Sequence, residues 1–197
     1  MSAEEFGQFS GVFARGDLDV PGYLPLLNLG DAEEVLRVVD GIREAYGAGD
    51  PSLPVAAMLA DRNWRPHLVA AVAFLLDTDS LLDPGLLWST IERGSWVIPQ
   101  LAVAAMYTDP DFAPTAAGVV ERLGHRNGKL TASIIGLRAF VPSMGERVDS
   151  WRADPVLIEA LEADAAWDGS GAIAAHWAER IRELLARRGI DLQPRAA

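Results

Sequence analysis

The chain has 197 residues, half of them hydrophobic, and it carries a formal charge of −11. A nucleic-acid-binding surface must be basic enough to displace phosphate counterions, so this charge argues against nucleic acid as a partner. Cysteine is absent, which excludes disulfides, thiolate metal sites and cysteine nucleophiles. The length suits one domain or one short array of repeats, and the acidity favours a basic protein as partner.

Neither a leader nor a membrane-spanning segment is predicted. The first residues, MSAEEFGQFS, lack the charged-then-apolar order of a signal peptide. The longest uncharged run, 94–108, has 15 residues, includes Pro99 and is too short to cross a bilayer. We therefore expect a cytoplasmic protein that binds no membrane.

In chain order the pattern is helical after an irregular start. Residues 1–30 are rich in Gly, Phe and Pro without a period, and are predicted to form a loop-rich cap or arm. Asp31 then begins a helix that ends at Gly47. Further helices are predicted near 53–60, 65–76, 84–92, 97–107, 114–123, 130–140, 155–167 and 171–188. No stretch alternates like a strand, so the predicted fold class is all-α, with one helical domain over 31–189 and a disordered tail over 190–197.

A repeat organises the middle of the chain. Two sets of apolar residues recur every 33 positions: Leu68, Leu101 and Ile134, and Phe74, Tyr107 and Phe140. The polar turns LADRNW, IERGSW and LGHRNG recur every 32 positions. Each unit therefore consists of an apolar helix, a polar turn, a second helix and a basic or polar turn. Two-helix units of this length stack into α-solenoids.

The segments WRPHLVAAVAFLLDTDSLLDPGLLWSTIE and WVIPQLAVAAMYTDPDFAPTAAGVVERL resemble short HEAT-like repeats, and the resemblance covers roughly 53–165. It implies a right-handed α-solenoid of about four stacked helical hairpins. It also implies a habit of binding proteins, and it carries no catalytic residues. The third unit departs from the pattern through its longer connection, VPSMGERVDSWRAD.

Two Asp-x-Asp pairs, Asp77/Asp79 and Asp109/Asp111, raise the question of a cation site. The pairs are 32 residues apart and occupy the same turn in consecutive units. Aspartates in turns accept hydrogen bonds from nearby backbone N–H groups and cap the helix that follows. A cation site would need further oxygen ligands, which the pattern does not supply. Turn and cap chemistry is therefore the favoured interpretation, and no metal is predicted.

Other motifs fail on context. GHRNGK, at 124–129, is one residue too short for a phosphate loop and lacks a Ser or Thr after Lys129. GSGAIA, at 169–174, matches a dinucleotide fingerprint, but no strand precedes it. The three histidines are far apart in sequence, and no serine has a visible base partner. We predict no catalytic residue and no cofactor.

Trp64 and Trp96 occupy the same place in two units, and Trp167 is a candidate third member of the set. Large aromatics that close a core layer would explain them. The functional alternative is a row of aromatics along one edge, with arginines in the same turns, because Trp and Arg are frequent interface anchors. On this alternative the residues predicted to contact a partner are Arg62, Trp64, Arg65, Trp88, Arg93, Trp96 and Arg126.

Three hypotheses follow. The first is a non-catalytic protein–protein interaction module, either an inhibitor of the immunity type or an adaptor, that binds a basic partner. The second is an enzyme, lyase or ligand carrier with an apolar cleft. Its candidate lining residues are Trp64, Trp96, His67 and Tyr107. The third is self-association through the apolar stripe of the last helix, unless that stripe caps the array. The stripe consists of Ala174, Trp177, Ile181, Leu184 and Leu185. We expect a monomer or a weak homodimer.

Overall fold

The computed structural model describes residues 3–14, 21–167 and 169–195, with side chains from Phe6 onwards. Within these ranges the secondary structure is helical and contains no strand. The α-helices are α1 (Pro25–Asn28), α2 (Ala32–Gly47), α3 (Ser52–Ala60), α4 (Trp64–Leu76), α5 (Gly85–Arg93), α6 (Ile98–Thr108), α7 (Phe112–Leu123), α8 (Gly128–Gly136), α9 (Gly145–Ala153), α10 (Pro155–Trp167) and α11 (Ser170–Ala186). Turns of 3-10 helix occur at Ala3–Phe13, Gly124–Arg126, Leu137–Ala139 and Pro142–Met144.

The prediction of an all-α fold is confirmed, and the capping signals explain much of its accuracy. Asp31 caps α2 by accepting a hydrogen bond from the Glu34 N–H at 2.9 Å. One helix was not predicted: α9 lies inside the connection VPSMGERVDSWRAD. Its only buried side chains are Val148 and Trp151, too few to give a helical period in the sequence.

The centre of the molecule is a layer of three helices, α4, α6 and α8, in which each contacts the next. Leu68, Leu101 and Ile134, which recur every 33 residues, are all fully buried in this layer. The small residues of α4 and α6 are buried as well, so these two helices are enclosed on all sides. Small side chains allow the neighbouring helices to approach closely. Helix α3 packs on α4, α5 on α6, and α10 on α8.

The last helix closes the molecule. Helix α11 packs on α6 and α8 and also reaches α2. The Trp177 indole N–H donates to the Leu26 carbonyl at 2.9 Å. Arg188 forms two hydrogen bonds with Asp40, at 2.7 and 2.8 Å, which hold the pKa of that carboxyl below its usual range. In an open solenoid each repeat contacts only its neighbours, whereas here the first and last helices are joined.

All five residues of the apolar stripe on α11 are buried within the chain. The stripe therefore serves as a cap on the core, which was one of the two alternatives, and it is not exposed to a second copy.

Both terminal segments pack on the core where they are described. Phe6 and Phe9 are buried, although an arm was predicted for 1–30. Leu192 is buried and the Arg195 N–H donates to the Met106 carbonyl at 3.4 Å, although a disordered tail was predicted for 190–197. The remainder of these two predictions, at 1–2, 15–20 and 196–197, lies outside the described residues.

Two glycines allow α8 to touch its neighbours through backbone atoms. A Cβ on Gly128 would lie 2.0 Å from the carbonyl oxygen of Ala160 in α10. A Cβ on Gly136 would lie 2.2 Å from the carbonyl oxygen of Gly171 in α11. Any side chain at these positions would force the helices apart, so α8 is held between α10 and α11 at a separation that only glycine permits.

None of the helices in the described part of the chain has both the length and the apolar content needed to span a bilayer.

Candidate protein-binding site

The turns α3–α4, α5–α6 and α7–α8 meet at one end of the helical layer. His67, near the start of α4, ties the first two together. Its Nε2–H donates to the Asp61 carbonyl at 2.9 Å, because a carbonyl oxygen can only accept. Its Nδ1 therefore accepts from the Ser95 hydroxyl at 2.8 Å. Burial lowers the pKa of His67, which favours this neutral form.

A row of aromatic rings runs across these turns. Tyr23 meets Trp64 edge-on, with ring centroids 6.3 Å apart, and Trp64 meets Trp96 at 4.9 Å. Tyr23 is buried, Trp64 is half-buried, and Trp96 is 52% exposed. We call Tyr23, Trp64 and Trp96 the aromatic edge. The two tryptophans at equivalent repeat positions are thus in direct contact, as the alternative of an aromatic row predicted.

Two cations lie over the indole rings of this edge. The Arg65 guanidinium is 5.1 Å from the Trp64 ring centroid. The Lys129 ammonium is 5.5 Å from the Trp96 ring centroid and donates to the Trp96 carbonyl at 3.3 Å. Cations over indole faces are attracted by about 0.5–1 kcal/mol each at exposed sites. They hold the rings in place and give the edge a positive local charge.

The predicted partner-binding residues divide into two groups. Arg62, Trp64, Arg65 and Trp96 lie in the turns that form the aromatic edge, and Arg126 is exposed in the turn before α8. Arg93 is partly engaged, because it donates to the Leu59 carbonyl at 2.6 Å and to the Thr90 hydroxyl at 3.1 Å.

Trp88 does not lie on this surface. It is buried, and its indole N–H donates to Asp109 at 2.7 Å. The inward orientation arises because Trp88 is on the apolar stripe of α5 and packs on the Phe112 ring, with centroids 5.6 Å apart. Trp88 is therefore a core residue, which corrects its assignment to the partner-binding surface.

The Asp-x-Asp turns lie at the other end of the layer, across the length of α4, about 20 Å away for its 13 residues. Asp77 is buried and accepts from the Tyr46 hydroxyl and the Leu82 N–H, both at 2.7 Å. Asp109 accepts from Trp88 and, at 2.8 Å, from the Asp111 N–H. The turn-and-cap interpretation is confirmed for Asp77 and Asp109. Among the described residues no group of three or more His, Asp or Glu is arranged to hold a metal.

A groove of 520 Å³ adjoins the aromatic edge. Helix α10 forms one wall through Val156, Ala163 and Trp167. The start of α8 and the turn before it form the other wall through His125, Arg126 and Lys129. We call this the α10 groove. It is continuous with the aromatic edge, because Lys129 lines the groove and also lies over the Trp96 ring.

The residues named for an apolar cleft do not come together in one. Tyr107 is buried, with its hydroxyl donating to the Ala178 carbonyl at 3.3 Å. His67 lies beneath the aromatic edge, and neither it nor Tyr107 lines the α10 groove. A second groove, of 730 Å³, lies near Tyr46 and Leu81 and contains neither residue.

The Ser95–His67 pair has one feature of a nucleophile and its base, a contact that sequence reasoning missed. Three observations oppose that role. Ser95 is 7% exposed, its oxygen already accepts from the Val97 N–H at 3.3 Å, and it does not line either groove. A serine nucleophile must reach its substrate. The pair is better explained as the hydrogen-bonded tie between two turns.

Comparison with known proteins gives no family assignment: no family model matches the sequence, and no curated protein or solved structure matches it either. The geometry of the aromatic edge and the α10 groove is therefore the basis for a functional proposal.

Proposed function

We propose that this protein is a non-catalytic protein-binding module that recognises its partner through the aromatic edge. The observation that carries the proposal is the contact of Trp64 with Trp96, half-open to solvent and flanked by Arg62 and Arg65. Tryptophan and arginine are the side chains in which binding energy concentrates at interfaces. A pair of stacked indoles held by cations is also rigid, so little conformational entropy is lost when a partner binds.

The charge at this edge refines the expected partner. Arg62, Arg65 and Lys129 surround the two indoles, against the single nearby acid Asp61. We therefore propose that the partner places carboxylates against this edge. The net charge of −11 still predicts a partner that is basic as a whole, because long-range steering depends on total charge and contact depends on neighbouring groups.

We also propose that the helical hairpins form a short HEAT-like array. The serial contacts of α4, α6 and α8 and the 32–33-residue spacing support this. The contact between α11 and α2 shows that such an array would be closed by its ends. The outer turns would then be the exposed recognition surface.

The proposal is tested by site-specific photo-cross-linking in cells. Benzoylphenylalanine replaces Trp96 in one variant and Leu53 in the control, since Leu53 is 81% exposed but lies on α3 near its start. A protein adduct formed at 96 and not at 53 is expected. Trp96→Ala should then weaken binding of the identified partner at least tenfold, which is the scale of an interface hot spot. Equal adducts at both positions, or a Trp96→Ala variant with full affinity, would reject the proposal.

A further inference from the structure

Helix α10 is unusual because its apolar side chains are exposed. Its sequence, PVLIEALEADAAW, contains eight Ala, Val, Leu or Ile residues, yet only Leu157 and Asp164 are buried. Trp167 is 89% exposed and Val156 is 57% exposed. A helix on a globular protein normally turns its apolar stripe towards the core. Exposed apolar side chains gathered at a groove mark an interaction surface.

The two walls of the α10 groove differ in chemistry. The α10 wall presents Val156, Ala163 and Trp167, which are spaced by 7 and 4 residues and so share one helical face. The opposite wall presents His125, Arg126 and Lys129. Within the described part of the chain, Arg126 forms no ion pair. The groove therefore combines an apolar wall with a cationic one.

Its length fits a short helix. Val156 and Trp167 are 11 residues apart, which is about 16 Å along a helix axis, or about three turns. The carboxylate of Asp164, which also lines the groove, accepts hydrogen bonds from the Ser170 N–H at 2.8 Å and the Ser170 hydroxyl at 2.6 Å. Asp164 is therefore occupied in starting α11. Glu159 is the exposed acid of the groove.

We infer that the α10 groove binds an acidic amphipathic helix of the partner. Apolar residues at i, i+3, i+4 and i+7 of that helix contact Val156, Ala163 and Trp167, and its carboxylates face His125 and Arg126. The inference rests on the proposed function, since Lys129 joins the groove to the aromatic edge. It adds the form and charge of the bound segment.

Charge favours this occupant over two others. An anionic bilayer would be repelled by a chain of net charge −11. A second copy of the chain would have to offer an exposed amphipathic helix, and α11, whose apolar stripe is well defined, has that stripe buried. Both occupants are nevertheless outcomes of the test.

The test uses a synthetic 16-residue peptide labelled with fluorescein. It carries Leu at helical i, i+3, i+4 and i+7 positions and Glu on the flanking positions. A matched peptide replaces each Glu by Lys, and a second keeps the composition but scrambles the order. Binding to the full-length protein is measured by fluorescence anisotropy at two salt concentrations. The acidic amphipathic peptide should bind at least tenfold more tightly than either control, and added salt should weaken it.

Matched protein variants locate the site. Trp167→Ala and Arg126→Glu should each reduce affinity about tenfold, the effect of one good anchor. Leu53→Ala, which removes an exposed apolar side chain elsewhere, should leave affinity unchanged. Indole N–H resonances in a ¹⁵N spectrum provide an independent readout that does not depend on a variant folding. The Trp167 and Trp96 signals should shift on binding, while those of buried Trp88 and Trp177 should not.

The inference fails if the Lys peptide or the scrambled peptide binds as well, or if Trp167 does not shift. It also fails if phosphatidylglycerol vesicles bind and Trp167→Ala abolishes that binding, or if sedimentation shows a dimer that Trp167→Ala dissolves. These failures are separable from failure of the proposed function. A partner that cross-links at 96 while the acidic peptide ignores the groove would overturn the groove inference alone. Peptide binding at Trp167 without any adduct at 96 would overturn the role of the aromatic edge alone.

Discussion

Gly128→Ala tests the closest approach in the structure, that of α8 to α10. The added Cβ would lie 2.0 Å from the Ala160 carbonyl oxygen, against an ordinary contact of at least 3.4 Å, so the two helices must separate by 3.4 − 2.0 = 1.4 Å. Overpacking of this kind costs about 1–3 kcal/mol. Alanine regains at most about 1 kcal/mol in helix propensity. We expect a net loss of about 1–2 kcal/mol in the free energy of unfolding.

The matched control is Gly41→Ala in α2, where a Cβ would meet nothing within 4 Å. That variant should gain about 0.5–1 kcal/mol, because the substitution then has only its propensity effect. Urea denaturation measures both, and thermal unfolding should shift by about 2–4 °C per kcal/mol, in opposite directions for the two variants. A Gly128→Ala protein as stable as the parent would refute the close approach, and with it the width of the α10 groove.

Three further changes have defined outcomes. Trp88→Phe removes the donor to buried Asp109 and should cost about 1–3 kcal/mol in urea denaturation, whereas Trp167→Phe, at an exposed ring, should stay within about 0.5 kcal/mol; equal costs would contradict the assignment of Trp88 to the core. Burial lowers the pKa of His67 below its ordinary 6.5, so its contribution to stability is complete above that pH and is lost as the pH falls through the lowered value. Stability should therefore drop between pH 7.5 and 5.5, by at most about 1.4 kcal/mol per pH unit, and His67→Gln should flatten the curve; an unchanged curve would reject the neutral tie. Burial raises the pKa of Tyr107 to about 12, so its contribution is complete below pH 10 and is lost as the pH rises towards 12; Tyr107→Phe should remove that part of the alkaline transition in a circular-dichroism titration.

Local signals in the sequence were enough for most of the fold. Asp31, the recurring apolar residues and the Asp turns act over a few residues, and the structure places them as the pattern predicted. The closure of the molecule had no such signal. The Trp177–Leu26 and Arg188–Asp40 contacts join residues 151 and 148 positions apart, and neither residue pair has a distinctive local sequence.

The candidate site was predictable in part for the same reason. The 32-residue spacing implied that Trp64 and Trp96 are equivalent, and equivalent turns in neighbouring units lie side by side. Tyr23 completes the edge from a segment outside the repeat, which spacing could not reveal. The α10 groove was missed because an apolar helix sequence does not indicate whether its stripe is covered.

The tryptophans themselves separate structure from recognition. Trp88 and Trp177 donate their indole N–H groups to Asp109 and to the Leu26 carbonyl, so their polar atoms are used inside the fold. Trp96 and Trp167 are exposed, and within the described residues their indole N–H groups form no hydrogen bond. An exposed indole with an unused donor can contribute both apolar area and a directional bond to an interface. Because both lie on the surface joined by Lys129, the partner is expected to engage them together, and loss of either should weaken the same interaction.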